Sequence, residues 1–190
     1  MALLQTEHSF LTTQSLPQPT LLEECVRECQ GKLLERPEIM IFGKVAHQHR
    51  NIGFFSNTSV GYEYSNRVAP SQPLTPALEK LLDVTNELYH ASFNGILINE
   101  YTDGSDYIGA HSDEEKNLDP VGVVAVSFGA VRTFRVRDKK SKKIVLDVPM
   151  EPATFLHMGG SFQKEFTHEI PPQKKVQGTR YSFTFRRHLK

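Results

Sequence analysis

At residue 93 the apolar pattern of this 190-residue chain changes from a helical period to a period of two, and it keeps that period almost to its end. Alternation marks strands, because successive side chains of a strand leave opposite faces of a sheet. The spacing predicts strands over 94–101, 107–111, 121–128, 133–137, 144–148, 153–157 and 181–186. Short turns separate them, among them Thr102-Asp103-Gly104 and Met158-Gly159-Gly160. Short strands that follow helices point to a mostly β fold with flanking helices, an antiparallel double-sheet jelly roll.

Upstream of the switch, Leu21, Leu22, Cys25, Val26, Cys29 and Leu33 repeat at helical spacing. A second helix starts at Thr75-Pro76, a capping hydroxyl followed by a proline at the first helical position. Leu78, Leu81, Leu82, Leu88 and Tyr89 give it one apolar side. Both helices are expected to pack on the outside of a sheet. Residues 1–19 are polar, contain Pro17 and Pro19, and read as a flexible N-terminal arm; residues 20–190 read as a single domain.

Composition excludes several classes. No apolar run approaches the length of a membrane span, and the N-terminus lacks the basic start and apolar stretch of a secretory signal. Cys25 and Cys29 are the two cysteines, four apart on one helix face. They read as buried thiols of an intracellular protein, nuclear or cytoplasmic, rather than as a disulfide framework. The formal net charge is zero, yet residues 132–190 hold 14 Lys/Arg against 5 Asp/Glu. That excess reads either as a footprint for phosphate backbones or as charge solvating hairpin loops such as 139–143.

The chemistry-bearing residues lie on the strands. His111 and Asp113 are two apart, so on a strand both leave one face and can meet one metal ion. With His168 they make a two-His-one-carboxylate set, which leaves positions open on Fe(II) for a chelating co-substrate and O2. Such a co-substrate, 2-oxoglutarate, carries a remote carboxylate that a fixed guanidinium can bind through two parallel hydrogen bonds. Arg180, Ser182, Thr184 and Arg186 share one face of the last strand, with Tyr181, Phe183 and Phe185 on the other. Two inward arginines on an apolar strand require buried anionic partners.

The series Asn99-Glu100-Tyr101-Thr102-Asp103-Gly104, His111-Ser112-Asp113, Val126-Ser127-Phe128-Gly129, His168-Glu169-Ile170-Pro171 and Arg180 through Arg186 resembles the AlkB family of Fe(II)/2-oxoglutarate-dependent nucleic-acid dealkylases. The resemblance covers residues 40–187 and is nearest to the family's nuclear DNA-repair branch. It implies a double-stranded β-helix of the 2-oxoglutarate oxygenase type, with a nucleotide-recognition lid around 40–68. It implies Fe(II) bound by His111, Asp113 and His168, and 2-oxoglutarate contacted by Asn99, Tyr101, Arg180, Ser182, Thr184 and Arg186. Arg180 would take the remote carboxylate and Arg186 the metal end. The activity implied is oxidative demethylation of bases such as 1-methyladenine and 3-methylcytosine in DNA, consuming O2 and releasing formaldehyde, succinate and CO2, by a monomer without a membrane partner.

Substrate contacts follow from the same resemblance. Phe42, in Ile41-Phe42-Gly43-Lys44, reads either as a core residue or as a wedge that fills the stack after a base is extruded; the Phe-Gly-Lys match favours the wedge. Tyr64 would stack on the base opposite His111, and Tyr62 would contact the phosphate or base edge. Glu115 reads either as an acidic pocket residue favouring a cationic base or as a loop glutamate. Two departures stand out. Ser182 replaces the family's asparagine, and the segment 45–54 matches the branch pattern only at Arg50. An RNA demethylase, a protein or small-molecule hydroxylase, and a non-catalytic nucleic-acid-binding module are the alternatives.

Overall fold

The computed structural model describes residues 1–41, 43–59, 61–64, 67–113 and 120–187, with the backbone alone at 41, 62–64, 67 and 68. The strands are β1 (Ala2–Gln5), β2 (Ser9–Ser15), β3 (Glu38–Ile41), β4 (Lys44–His47), β5 (Asn51–Phe55), β6 (Gly61–Tyr64), β7 (Arg67–Gln72), β8 (Gly95–Tyr101), β9 (Ile108–His111), β10 (Val123–Gly129), β11 (Arg132–Asp138), β12 (Ile144–Met150), β13 (Thr154–Gly160), β14 (Phe166–Ile170) and β15 (Arg180–Arg186). The helices are α1 (Thr20–Cys29), α2 (Pro76–Tyr89) and the short α3 (Phe162–Glu165). The major sheet runs β1-β2-β13-β10-β15-β8-β5-β7-β6, and the minor sheet β12-β11-β14-β9. The two sheets form the expected jelly roll, with β3 and β4 paired apart from them.

Alternation along β15 divides the interior in two. Phe183 and Phe185 face outward into a core shared with Leu21, Leu22 and Cys25 of α1 and Leu78 and Leu81 of α2. Fully burying each such leucine contributes about 1.5–3 kcal/mol. On the opposite face, Phe134, Val136, Met150, Leu156, Phe162 and Ile170 fill the space between the sheets. Thr75 caps α2 as its sequence foretells, its Oγ1 accepting from Leu78 N, and Pro76 opens the helix. Cys25 and Cys29 are free and buried. Leu33 falls beyond the end of α1, although it still packs on the helical core.

The N-terminal segment does not behave as the flexible arm expected from its polarity. β1 and β2 form a hairpin, and β2 pairs with β13 over seven positions from Thr154↔Ser15 to Gly160↔Ser9. Its alternation is hidden by polar residues, and Leu11 alone is wholly buried. Met158-Gly159-Gly160, expected as a turn, is instead the end of β13 and pairs with β2; Phe10 lies across Gly159, where any Cβ would collide with its ring, so the glycine serves close packing.

Candidate active site

The sheet register gathers the inward-facing residues into rows. Arg180 pairs with Tyr101, Ser182 with Asn99, and Thr184 with Leu97, while Ser127 pairs with Ser182 from the other side. Directly paired residues share a sheet face, so β8 and β15 present Asn99, Tyr101, Arg180, Ser182, Thr184 and Arg186 to one cavity. The facing minor sheet supplies His111 and His168, which are partners across β9 and β14. Asp113 completes the lining.

Asp113 differs from expectation in its backbone. β9 ends at His111, so the carboxylate stands just beyond the strand rather than on it. It still converges with both imidazoles: one ligand atom each from His111, Asp113 and His168 lies within 4.8 Å of the others. His168 Nε2 is 3.5 Å from Asp113 Oδ2, and Arg186 Nη2 donates to Asp113 Oδ1 at 2.7 Å. His111 Nδ1 is 2.9 Å from Gly109 O; a proton there is donated to the carbonyl and leaves Nε2 unprotonated, the form in which it can ligate a metal.

Electrostatics keep these groups in the deprotonated forms that metal binding requires. Burial, reinforced by His111, pushes His168 down to about 3. Desolvation also lowers His111, against the opposing pull of Asp113. Burial alone would raise the Asp113 carboxyl, but Arg186, His168 and His111 together hold it well below the usual carboxylate range.

Arg180 occupies the other end of the cavity. It is 3% exposed, its Nη2 donates to Ser127 Oγ at 2.8 Å, and its guanidinium lies 5.3 Å from the Tyr101 ring centroid. Among the described residues no carboxylate pairs with it, and its Nε has no hydrogen-bond partner. A buried guanidinium left in this state fits an anionic ligand, as the remote carboxylate of 2-oxoglutarate would be. The donor set at one end and this cation at the other therefore fit both Fe(II) and 2-oxoglutarate. Ser182, the departure from the family's asparagine, is buried in the same row.

The basic C-terminal third divides in the fold. Arg132, Arg180 and Arg186 are buried, and Arg135 and Arg137 pair with Asp147 and Glu169. Lys140, Lys142 and Lys143 are exposed in the β11–β12 turn. Of the expected substrate contacts, Phe42 and Glu115 lie outside the described residues, as do the side chains of Tyr62 and Tyr64.

Residues not singled out by sequence also shape the site. Arg50 Nε donates to Asn99 Oδ1 at 2.7 Å. Arg132, 1% exposed, donates to the carbonyls of Asp103, Asp106 and Pro171, joining the loop before β9 to the loop after β14. Gln163 accepts from Asp113 N. The β14 run Phe-Thr-His-Glu-Ile shows the period of two, with Phe166, His168 and Ile170 buried.

A jelly roll whose cavity holds a His/Asp/His cluster and a buried arginine with no carboxylate partner among the described residues has the architecture of a 2-oxoglutarate oxygenase. The model of the 2OG-Fe(II) oxygenase superfamily matches residues 6–186. The human DNA oxidative demethylase ALKBH2 is 33% identical over 159 residues, covering 80% of this chain and 61% of the relative. The mouse ALKBH2 is 31% identical over 176 residues, covering 88% and 72%. A solved structure of OsALKBH1 superposes with a TM-score of 0.57 at 16% identity, covering 97% of this chain and 100% of that one. The chain belongs to the 2OG-Fe(II) oxygenase superfamily and, within it, to the AlkB family, whose iron, 2-oxoglutarate and O2 chemistry its cavity suits. It spans about three fifths of the human relative's length.

Proposed function

We propose that this chain is an Fe(II)/2-oxoglutarate-dependent dioxygenase that repairs DNA by removing methyl groups from base nitrogens of the 1-methyladenine and 3-methylcytosine type. The observation that carries the reading is the pairing, within one cavity, of the His111/Asp113/His168 cluster with the buried Arg180. His111, Asp113 and His168 would hold the iron. Arg180 would hold the remote carboxylate, with Asn99, Tyr101, Ser182 and Thr184 lining the co-substrate's path and Arg186 at the metal end. Bound together, iron, 2-oxoglutarate and O2 supply the oxidising equivalents that hydroxylate the methyl carbon, yielding formaldehyde with succinate and CO2. The protein's own part is to orient the co-substrate, keep both imidazoles uncharged and exclude water behind the Phe134 and Met158 wall.

DNA is proposed over RNA because the ALKBH2 relatives are named for DNA demethylation. The unit at work is one domain acting as a monomer inside the cell, nuclear or cytoplasmic, with residues 40–68 as the lid over the base. Phe42, Tyr62, Tyr64 and Glu115 are assigned base contacts on their sequence resemblance. No helix among the described residues is long and apolar enough to cross a membrane.

The test is mass spectrometry of oligonucleotides bearing 1-methyladenine or 3-methylcytosine, single- and double-stranded, in DNA and RNA, with Fe(II), 2-oxoglutarate and air. Loss of one CH2 matched by succinate is expected, with DNA preferred. Succinate release without demethylation of any of these would overturn the substrate; neither signal from iron-loaded protein would overturn the activity.

A further inference from the structure

We propose that Gln163 is a positioning residue that fixes the peptide of Asp113 from behind, so that its carboxylate meets the two histidines. The proposal rests on the metal-site reading above. Because β9 closes at His111, the Asp113 peptide lies beyond the strand's end. Its buried N–H is taken instead by Gln163 Oε1 at 2.9 Å. A buried donor of this kind needs an acceptor, and here one side chain from a distant segment provides it.

Gln163 is itself held from several directions. Its Nε2 approaches Sδ of Met158, a residue of the cavity wall, at 3.5 Å. Its main-chain carbonyl accepts from Lys139 Nζ at 3.2 Å. Neighbouring Phe162 is wholly buried, and Glu165 Oε2 accepts from Thr6 Oγ1 at 2.9 Å, tying α3 to the β1–β2 turn. The turn carrying Asp113 has a second attachment to the same segment, Ser112 Oγ donating to Phe166 O at 3.1 Å. Two residues further on stands His168. The stretch 163–168 thus provides one imidazole and also sets the peptide of the carboxylate opposite it.

Arg186 cannot do this alone. It grips Oδ1 of the carboxylate but leaves the peptide free to rotate away from the histidines. Gln163 grips the main chain, and the two contacts together define where the second oxygen, Oδ2, points. Mutating groups that orient metal ligands in this way weakens metal binding.

The experiment is anaerobic calorimetric titration of the metal-free full chain with Fe(II), beside thermal melts of the same samples. Gln163→Met keeps the length and removes the acceptor; Gln163→Glu keeps an acceptor oxygen. The Met variant is expected to bind Fe(II) about 10- to 100-fold more weakly, with the metal-free Tm lowered by no more than the several degrees that one orphaned buried N–H costs, and the Glu variant to stay within about threefold of wild type. Equal affinity in the Met variant, or equal loss in both variants, overturns the proposal. Should the Met variant not fold, Gln163→Asn, which withdraws the acceptor by one methylene, must weaken binding where Glu does not; equal behaviour of those two is the overturning result. Wild-type protein that fails to bind Fe(II) overturns the metal-site reading itself, which separates that failure from this one.

Discussion

Arg186 and Asp113 form a buried ion pair 2.7 Å long, each side chain at most 5% exposed. The pair neutralises the carboxylate's burial and turns one of its oxygens away from the histidines. Removing the cation alone strands a charge in a low-dielectric interior. Arg186→Met is therefore expected to destabilise the metal-free protein by about 3–5 kcal/mol. Combining it with Asp113→Asn should recover much of that loss. Urea denaturation of the two single variants and the double variant measures both; additive losses would mean the pair is not coupled.

Arg180 faces a different demand, since its cationic charge meets no carboxylate among the described residues. Arg180→Ala is expected to raise the 2-oxoglutarate concentration for half-maximal succinate release roughly 10- to 100-fold, the equivalent of about 1.5–3 kcal/mol for a charge-assisted hydrogen bond. Anaerobic Fe(II) affinity without co-substrate should be unchanged. An unaltered 2-oxoglutarate requirement would remove Arg180 from the co-substrate site.

The histidines make the metal-free fold sensitive to acid. In the unfolded chain each imidazole takes a proton near 6.5, whereas folded His168 resists until about 3. Between those values the unfolded state binds more protons, so stability is fully present above 6.5 and declines as pH falls toward 3. His111, shifted in the same direction, adds to the slope. Thermal melts of metal-free protein across this range should show the decline, and His168→Gln should flatten it. The same pH profile in both proteins would refute the assignment.

The N-terminal hairpin carries a stability prediction that a flexible arm would not. Leu11 is wholly buried on β2 against the inter-sheet core. Leu11→Ala is expected to cost about 2–5 kcal/mol. A midpoint in urea indistinguishable from wild type would restore the reading of residues 1–19 as a loose extension.

What could be read from sequence depended on how each residue meets its neighbours. The face shared by Arg180, Ser182, Thr184 and Arg186 was legible because a strand's period is fixed and the intervening aromatics mark the other side. His111, Asp113 and His168 were legible from residue type and order, although the strand carrying His168 was passed over. β2 escapes a reading of side-chain pattern because it is held by backbone pairing to β1 and β13, and backbone hydrogen bonds leave little trace in side-chain polarity. Gln163 and Arg132 were invisible for a related reason. Each acts on main-chain groups more than fifteen residues away, and nothing local announces such a bond. The charge excess after residue 131 misled in part, since three of its arginines are turned into the interior.

His111 and His168 are cross-strand partners in the ladder between β9 and β14. A one-residue slip between these strands would reverse one imidazole to the opposite face of the sheet, because side chains alternate along a regular strand and the ladder's one irregularity lies beyond the pair, between His168 and Ile170. The cluster can exist in one alignment only. Any ion captured there would bind the correctly threaded chain and ignore its slipped competitors, so that loading the site would also proofread the folding of the minor sheet.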